Sequence, residues 1–184
     1  MPHQERSDEY WDVYDAERRA TGRLHRRGDP LGPGDYHLVA EVWTIDLSGR
    51  VLLTKRHPSI SWGGLWACTG GCAVAGEDSR AAAVRELGEE VGLVVHPDAL
   101  EWVDTYCVEG AIHDVWVHYR QIDFDELILQ EGEVTDAKLV TLGESRQLHV
   151  SGAVMLKLSM LLDFVASGQI RCGRRTGAGQ SFPK

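Results

Sequence analysis

The sequence predicts an α/β (α+β) sandwich in which a mixed sheet lies between helices, and three observations carry this. A length of 184 residues with 43% hydrophobic side chains suits one domain around one core. Short runs rich in Val, Ile, Tyr and Trp, bounded by Gly and polar residues, read as two strand pairs. One segment with helical character separates the pairs and another follows them, an order that puts helices on the faces of a sheet.

Taken in order, residues 1–29 form an N-terminal extension, polar and loose over 1–8, with a short strand at 11–14. Across 21–35, Gly28, Pro30, Gly32, Pro33 and Gly34 argue for loop. The domain proper spans 30–167. Residues 36–45 and 51–55 read as a hairpin turning at Asp46-Leu47-Ser48-Gly49, and residues 101–109 and 114–122 as a second pair linked through Gly110. Between them Ser79–Val91 is Ala-rich, with Asp78 placed to cap its start and Gly92 its end, which predicts a helix. Residues 138–141 form a further strand. A second helix is expected over 150–166, where Val154, Leu158, Leu161, Leu162 and Val165 recur at helical spacing. Residues 168–184, rich in Gly and Arg, read as a flexible tail.

Composition narrows the function. With 28 acidic against 19 basic residues the net charge is −9, which argues against a protein held to nucleic-acid phosphates. An anionic substrate would need cations supplied locally, by metal ions or a few placed Arg and Lys. Cys68, Cys72, Cys107 and Cys172 show neither a disulfide framework nor paired zinc spacing, and no apolar signal segment follows Met1, so the cytoplasm is the expected compartment. No apolar run is long enough to cross a bilayer, and no membrane partner is expected.

The chemistry concentrates in residues 71–93. On a helix, residues advance by about 100° each, so Glu86, Glu89 and Glu90 share one arc while Val84, Leu87 and Val91 point nearly the opposite way. Three carboxylates at this spacing repel one another and call for a cation, and oxygen ligands favour hard ions such as Mg²⁺. A solvated acidic face is the alternative, and on the glutamates alone it leads.

The preceding loop, Gly70-Gly71-Cys72-Ala73-Val74-Ala75-Gly76-Glu77, adds a fourth carboxylate at the helix start. Here the sequence resembles the Nudix family, whose box is Gly, five residues, Glu, seven residues, then Arg-Glu-aliphatic-any-Glu-Glu-any-Gly-aliphatic. Gly71, Glu77, Arg85, Glu86, Glu89, Glu90 and Gly92 fill every fixed position. Seven such identities arise by chance about once in a hundred million starts, which decides against the solvated face.

The resemblance implies a Nudix-like α/β/α sandwich and hydrolysis of a phosphoanhydride bond in a nucleoside di- or triphosphate, or a nucleoside diphosphate derivative, by water attack at phosphorus. It implies that Glu86, Glu89 and Glu90 bind Mg²⁺, with Mn²⁺ able to substitute, that Glu90 is the essential ligand, and that one of the three accepts the proton of water. Arg85 would pair with Glu77 and hold loop to helix, while Gly71 and Gly92 serve structure. Lys55, Arg56 and Trp66 are candidate substrate contacts, Trp62 a further stacking surface, and Glu131 or Glu133 a general base outside the box. Nudix enzymes are often homodimers.

Around the box, residues 11–15, Thr21-Gly22, His25, Arg27-Gly28 and Tyr36-His37 look like the branch related to isopentenyl diphosphate isomerases. That chemistry asks for a cysteine before the box glycine, where this chain has Gly70, so hydrolysis is the expected activity and isomerisation the alternative. A non-catalytic nucleotide-binding module would have no need of the intact carboxylate set.

Overall fold

The computed structural model describes residues 9–108, 110–155 and 157–170. The loose opening at 1–8 and residues 171–184 of the expected tail lie outside the described residues. The fold is the expected α/β sandwich with a mixed sheet between helices.

Its spine is β3 (His37–Ile45), whose residues from Leu38 onward are all buried. A nearly continuous apolar run of this kind belongs to a strand covered on both faces. Leu38, Ala40 and Val42 face helix α1 (Ser79–Val91), packing with Ala82, Ala83, Leu87 and Val91. Trp43 and Ile45 face the other layer, with Leu53, Val115, and Leu161 and Phe164 of α3 (Lys157–Ala166).

β3 pairs in parallel with β8 (Ala111–Tyr119) along its whole length, and β8 pairs antiparallel with β7 (Leu100–Val108). That second pair is the expected one, turning at Gly110 with φ +80°. Its returning strand starts three residues earlier than predicted, at Ala111.

The first hairpin differs from expectation in an instructive way. Its turn forms as predicted, with Asp46 accepting from the backbone N–H groups of Ser48 and Arg50. Yet β3 and β4 (Val51–Arg56) pair only at Ile45 and Val51 and then part. Residues 66–72 enter the fork: β5 (Trp66–Ala67) bonds to β4, and β6 (Thr69–Cys72) bonds to β3. The far edge of β4 is taken by β9 (Val134–Val140), longer than the strand predicted at 138–141.

Two further readings are corrected. The first part of residues 21–35 is not loop: β2 (Ala20–Arg26) pairs with β1 (Tyr10–Tyr14). Its residues are almost all exposed, so no apolar alternation betrays it, and the Pro and Gly cluster begins only after it. The helix expected over 150–166 is the shorter α3, and an unexpected helix, α2 (Leu142–Val150), precedes it. Thr141 and Glu144 form a capping box that starts α2, and Gly152 at φ +69° follows its end. Val154, counted on the helical face, instead bridges to Trp66.

Helix α1 keeps its predicted bounds. Asp78 accepts from the Ala81 N–H at 2.8 Å. Gly92 at φ +72° donates to the Gly88 carbonyl at 3.1 Å, and the Leu93 N–H reaches the Leu87 carbonyl at 3.0 Å, a left-handed stop. Among the described residues no helix is long and apolar enough to cross a membrane.

Candidate active site

The box residues meet where β6 runs beside α1. Helix α1 carries the carboxylates, and β6 packs against it with Gly71, where a Cβ would stand 2.2 Å from Glu86 Oε1. A side chain at this position would press on the end of the Glu86 side chain, which would have to shift. Glu86 and Glu90 are buried, at 2% and 5% exposure, while Glu89 is open to solvent. A solvated acidic face does not bury two of its three carboxylates, so that alternative fails.

Burial, with Glu86 beside it, pushes the Glu90 carboxyl up to about 8, against the opposing pull of the Arg56 guanidinium and the Gly70 N–H. Glu133 adds to the upward push. Arg56 at the end of β4 and Glu133 before β9 thus lie within electrostatic reach of Glu90. Glu131 stands exposed on the preceding turn.

Arg85 is the centre of the electrostatics. Its Nε lies 2.9 Å from Glu77 Oε1, and its Nη2 donates to Glu77 Oε2 at 3.1 Å and to the Cys72 carbonyl at 2.9 Å. Glu77 in turn accepts from the Val74 N–H at 3.0 Å. The guanidinium so joins loop to helix. Its Nη1 also bridges Glu86 at 2.8 Å and Glu89 at 3.0 Å. Among the described residues no three acidic, His or Cys side chains converge on one metal-sized point, and Arg85 bridges two of the three box glutamates. The donor set still fits a hard divalent cation: only carboxylate oxygens are offered, and burial drives Glu90 toward its neutral form, which a cation would reverse.

At the fork between β3 and β4 opens a small cleft, lined among others by Glu41, Leu53, Arg56, Trp66, Cys68 and Gly70. The Trp66 ring holds Lys138 Nζ 3.9 Å from its centroid and Lys55 Nζ at 5.7 Å. Trp62 is exposed on the loop before it. On the cleft floor Glu41 is buried, accepting from the Tyr106 hydroxyl at 2.6 Å and facing His113 Nδ1 at 2.7 Å. Sequence reasoning did not single out Glu41. A signal was present, since a lone acid inside Leu38-Val39-Ala40-Glu41-Val42-Trp43 breaks an otherwise buried strand.

A glycine-entered loop and a helix of buried acids define a class, the metal-assisted hydrolases of phosphoanhydride bonds. Residues 35–158 match the model of the NUDIX domain. The chain belongs to the Nudix family and is a Nudix hydrolase. An uncharacterised Nudix hydrolase of Listeria monocytogenes is 35% identical over 146 residues, covering 78% of this chain and 86% of its own length. Nudix hydrolase 3 of Arabidopsis thaliana is 30% identical over 155 residues, 76% of this chain but 20% of that protein. Among solved structures, DR0079 of Deinococcus radiodurans superposes with a TM-score of 0.69 at 18% identity, over 84% of this chain and 98% of that one. The fold is therefore shared well beyond sequence likeness. Family members typically use a divalent metal.

Proposed function

We propose that this chain hydrolyses a phosphoanhydride bond in a nucleoside di- or triphosphate, or a nucleoside diphosphate derivative, by attack of water at phosphorus. The observation that carries the reading is the burial of Glu86 and Glu90 against β6, with Arg56 within electrostatic reach of Glu90. Buried acids at this electrostatic cost are kept where a cation is to be held.

Glu86, Glu89 and Glu90 would hold Mg²⁺, for which Mn²⁺ can substitute. The ion supplies charge neutralisation on the phosphate oxygens and a lowered pKa for water. Glu90 is the essential ligand in this reading. Arg85 positions the loop through Glu77 and the Cys72 carbonyl and so holds the carboxylates in place. Arg56, Lys55 and Trp66 receive the substrate, the first two by charge and the third by its ring face. Glu133, close enough to act on Glu90, accepts the proton of the attacking water. The nucleotide class gains support from two solved relatives of the fold, the NUDIX domain of Shewanella oneidensis NrtR complexed with ADP ribose and a Francisella tularensis bifunctional enzyme complexed with AMP and an Mn ion.

The likeness to isopentenyl diphosphate isomerases rests on residues that stack together here, Trp11 lying 4.2 Å from His37 and 5.8 Å from His25 between ring centroids. Isomerisation stays the lesser reading because Gly70 offers no thiol.

Purified chain with Mg²⁺, incubated with nucleoside di- and triphosphates, nucleotide sugars, dinucleotides and isopentenyl diphosphate, tests this by product mass. Release of monophosphate, phosphate or pyrophosphate, lost in Glu90→Gln and reduced at least tenfold in Glu133→Gln, is expected. No product from any of them, with Glu90→Gln indistinguishable from wild type, would end the proposal.

A further inference from the structure

The hairpin of β1 and β2 precedes the NUDIX domain, residues 35–158, yet it bonds to the box. The Ala75 N–H donates to the Tyr10 carbonyl at 2.7 Å, and the Gly76 N–H donates to Asp12 Oδ2 at 2.7 Å. The hairpin is itself anchored to the domain. Val13 is buried, Tyr14 and Tyr36 exchange two backbone bonds at 2.8 and 2.9 Å, and Arg18 grips Asp114, which also accepts from Ser79 at the start of α1.

The two bonds from the hairpin complete the hold on the turn that enters α1. Ala73 donates to the Leu38 carbonyl at 2.9 Å, Val74 to Glu77 Oε2 at 3.0 Å, and Glu77 to the Val74 carbonyl at 2.9 Å. Every backbone N–H from 73 to 77 is thus met, and β1 meets those of Ala75 and Gly76. Gly76 alone of the five has a left-handed backbone, φ +85°, and as a glycine it is the residue most free to swing the turn.

Glu77 follows it directly. Both of its oxygens take Arg85, Nε to Oε1 at 2.9 Å and Nη2 to Oε2 at 3.1 Å, while Arg85 Nη1 bridges Glu86 at 2.8 Å and Glu89 at 3.0 Å. A two-point pair of guanidinium and carboxylate passes on orientation because the fork is rigid. Displacement of Gly76 therefore reaches the guanidinium that sets two of the box carboxylates.

We propose that Asp12 is a positioning residue of the carboxylate site: by accepting from Gly76 it fixes Glu77, and through Arg85 the placing of Glu86 and Glu89 for a divalent cation. This rests on the reading of the box glutamates as ligands of that cation. The N-terminal hairpin is then a working part of the site. Because Asp12 acts by accepting a backbone bond, an uncharged acceptor of the same reach serves in its place, whereas a direct pull of its charge on the cation would be lost with the charge.

The test compares wild type, Asp12→Ala and Asp12→Asn by Mn²⁺ binding in electron paramagnetic resonance, by NMR exchange of the Gly76 N–H and the Arg85 Nε–H without metal, and by urea melts. Asp12→Ala is expected to bind Mn²⁺ about tenfold more weakly and to exchange both protons about tenfold faster, the scale of one lost hydrogen bond to a charged acceptor. Asp12→Asn, whose amide oxygen accepts from the same N–H, is expected to stay within about threefold of wild type. A hairpin that only adds stability would lower the urea midpoint of Asp12→Ala and leave its Mn²⁺ affinity and Arg85 exchange unchanged, and that result would overturn the proposal. Equal losses in Asp12→Asn would overturn it too, by showing that charge acts. Should Asp12→Ala fail to fold, wild type decides: coupling is reciprocal, so saturating Mg²⁺ is expected to slow Gly76 exchange about tenfold, and an unchanged rate would refute the link. If wild type takes up no Mn²⁺, the metal reading falls while Arg85 still reports on Asp12: faster Nε–H exchange in Asp12→Ala upholds its hold on Arg85, and equal exchange rejects it.

Discussion

Gly71 and Glu86 lock together: a Cβ on the glycine would lie 2.2 Å from one carboxylate oxygen of the glutamate and 2.6 Å from its carboxyl carbon. Because Glu86 is also held by Arg85 at 2.8 Å, it cannot yield without disturbing the guanidinium that ties Glu77 to the helix.

The prediction is that Gly71→Ala displaces Glu86 and lowers Mg²⁺-dependent kcat by at least about 100-fold, a loss of about 2.7 kcal/mol in transition-state stabilisation. The overpacking itself costs about 1–3 kcal/mol of stability, so circular dichroism is expected to show a folded chain with a reduced Tm. Wild-type turnover in the alanine variant would show that Glu86 is free to move and that the close approach has no functional meaning.

Gly88 is the opposite case. It lies inside α1 with nothing within 4 Å of where an added methyl carbon would stand and with no left-handed φ. Gly88→Ala is expected to stabilise by about 0.5–1 kcal/mol through lower unfolded-state entropy, raising Tm by about 1–4 °C for a chain of this size. Turnover should stay within twofold of wild type. Thermal melts decide it, and a fall in Tm would mean that the open space beside Gly88 is filled in solution.

These two glycines show what the sequence could and could not disclose. Helix α1, its caps and the box glutamates were legible because every contact that defines them lies within a short stretch of chain: Asp78 caps Ala81, Gly92 closes on Gly88, and Arg85 reaches back eight residues to Glu77. The fork between β3 and β4 was not, because it depends on residues 66–72 inserting where a simple hairpin would have zipped. The cleft floor was hidden for the same reason. Glu41 meets Tyr106 and His113 from 65 and 72 residues away, distances across which one sequence carries no pairing signal. β2 stayed invisible because an exposed edge strand needs no apolar alternation.

A second buried acid anchors the N-terminal hairpin. Asp114 of β8, 1% exposed, is gripped by both Nη atoms of Arg18 and by the hydroxyls of Ser79 and Thr105. Arg18 holds this grip from a strained position, φ +62°. Arg18→Ala is expected to destabilise by about 1–3 kcal/mol, below the usual figure for a buried pair because the arginine is half exposed. Arg18→Gly loses the same ion pair but relieves the backbone, so it is expected to be the more stable of the two variants by up to about 1 kcal/mol. Urea melts of both rank them, and an alanine variant more stable than the glycine variant would show that no strain is stored there.

The acid limb of stability is expected to begin with two histidines. His37, stacked on Trp11, is held down to about 4 by burial first, then by His113, His25 and Arg27, against a hydrogen bond to the Gly110 backbone. His118 is held to about 4 by burial and Arg120, and its buried Nδ1 has no hydrogen-bond partner among the described residues. Both folded values lie below the unfolded value of 6.5, so the unfolded chain takes up these protons first. Their contribution is therefore complete above pH 6.5 and is lost as pH falls toward 4, with a slope of at most about 1.4 kcal/mol per pH unit for each group. Asp35, Asp46 and Glu144, whose carboxyls are held below their ordinary values of 3.8 to 4.5, add their losses only at lower pH. Glu90, raised to about 8, works the other way in chelator, since the folded chain binds its proton first and gains stability as pH falls from 8 toward 4.5. Tm measured from pH 8 to 4 should therefore turn downward near 6.5 in wild type, where two imidazole losses outweigh one carboxyl gain. In the double variant His37→Gln, His118→Gln, weakened overall by altered packing, Tm should not fall before about pH 4.5 and should rise toward it as Glu90 takes up its proton. A wild-type plateau reaching that far would mean that both imidazoles find solvation on protonation that their burial here denies them.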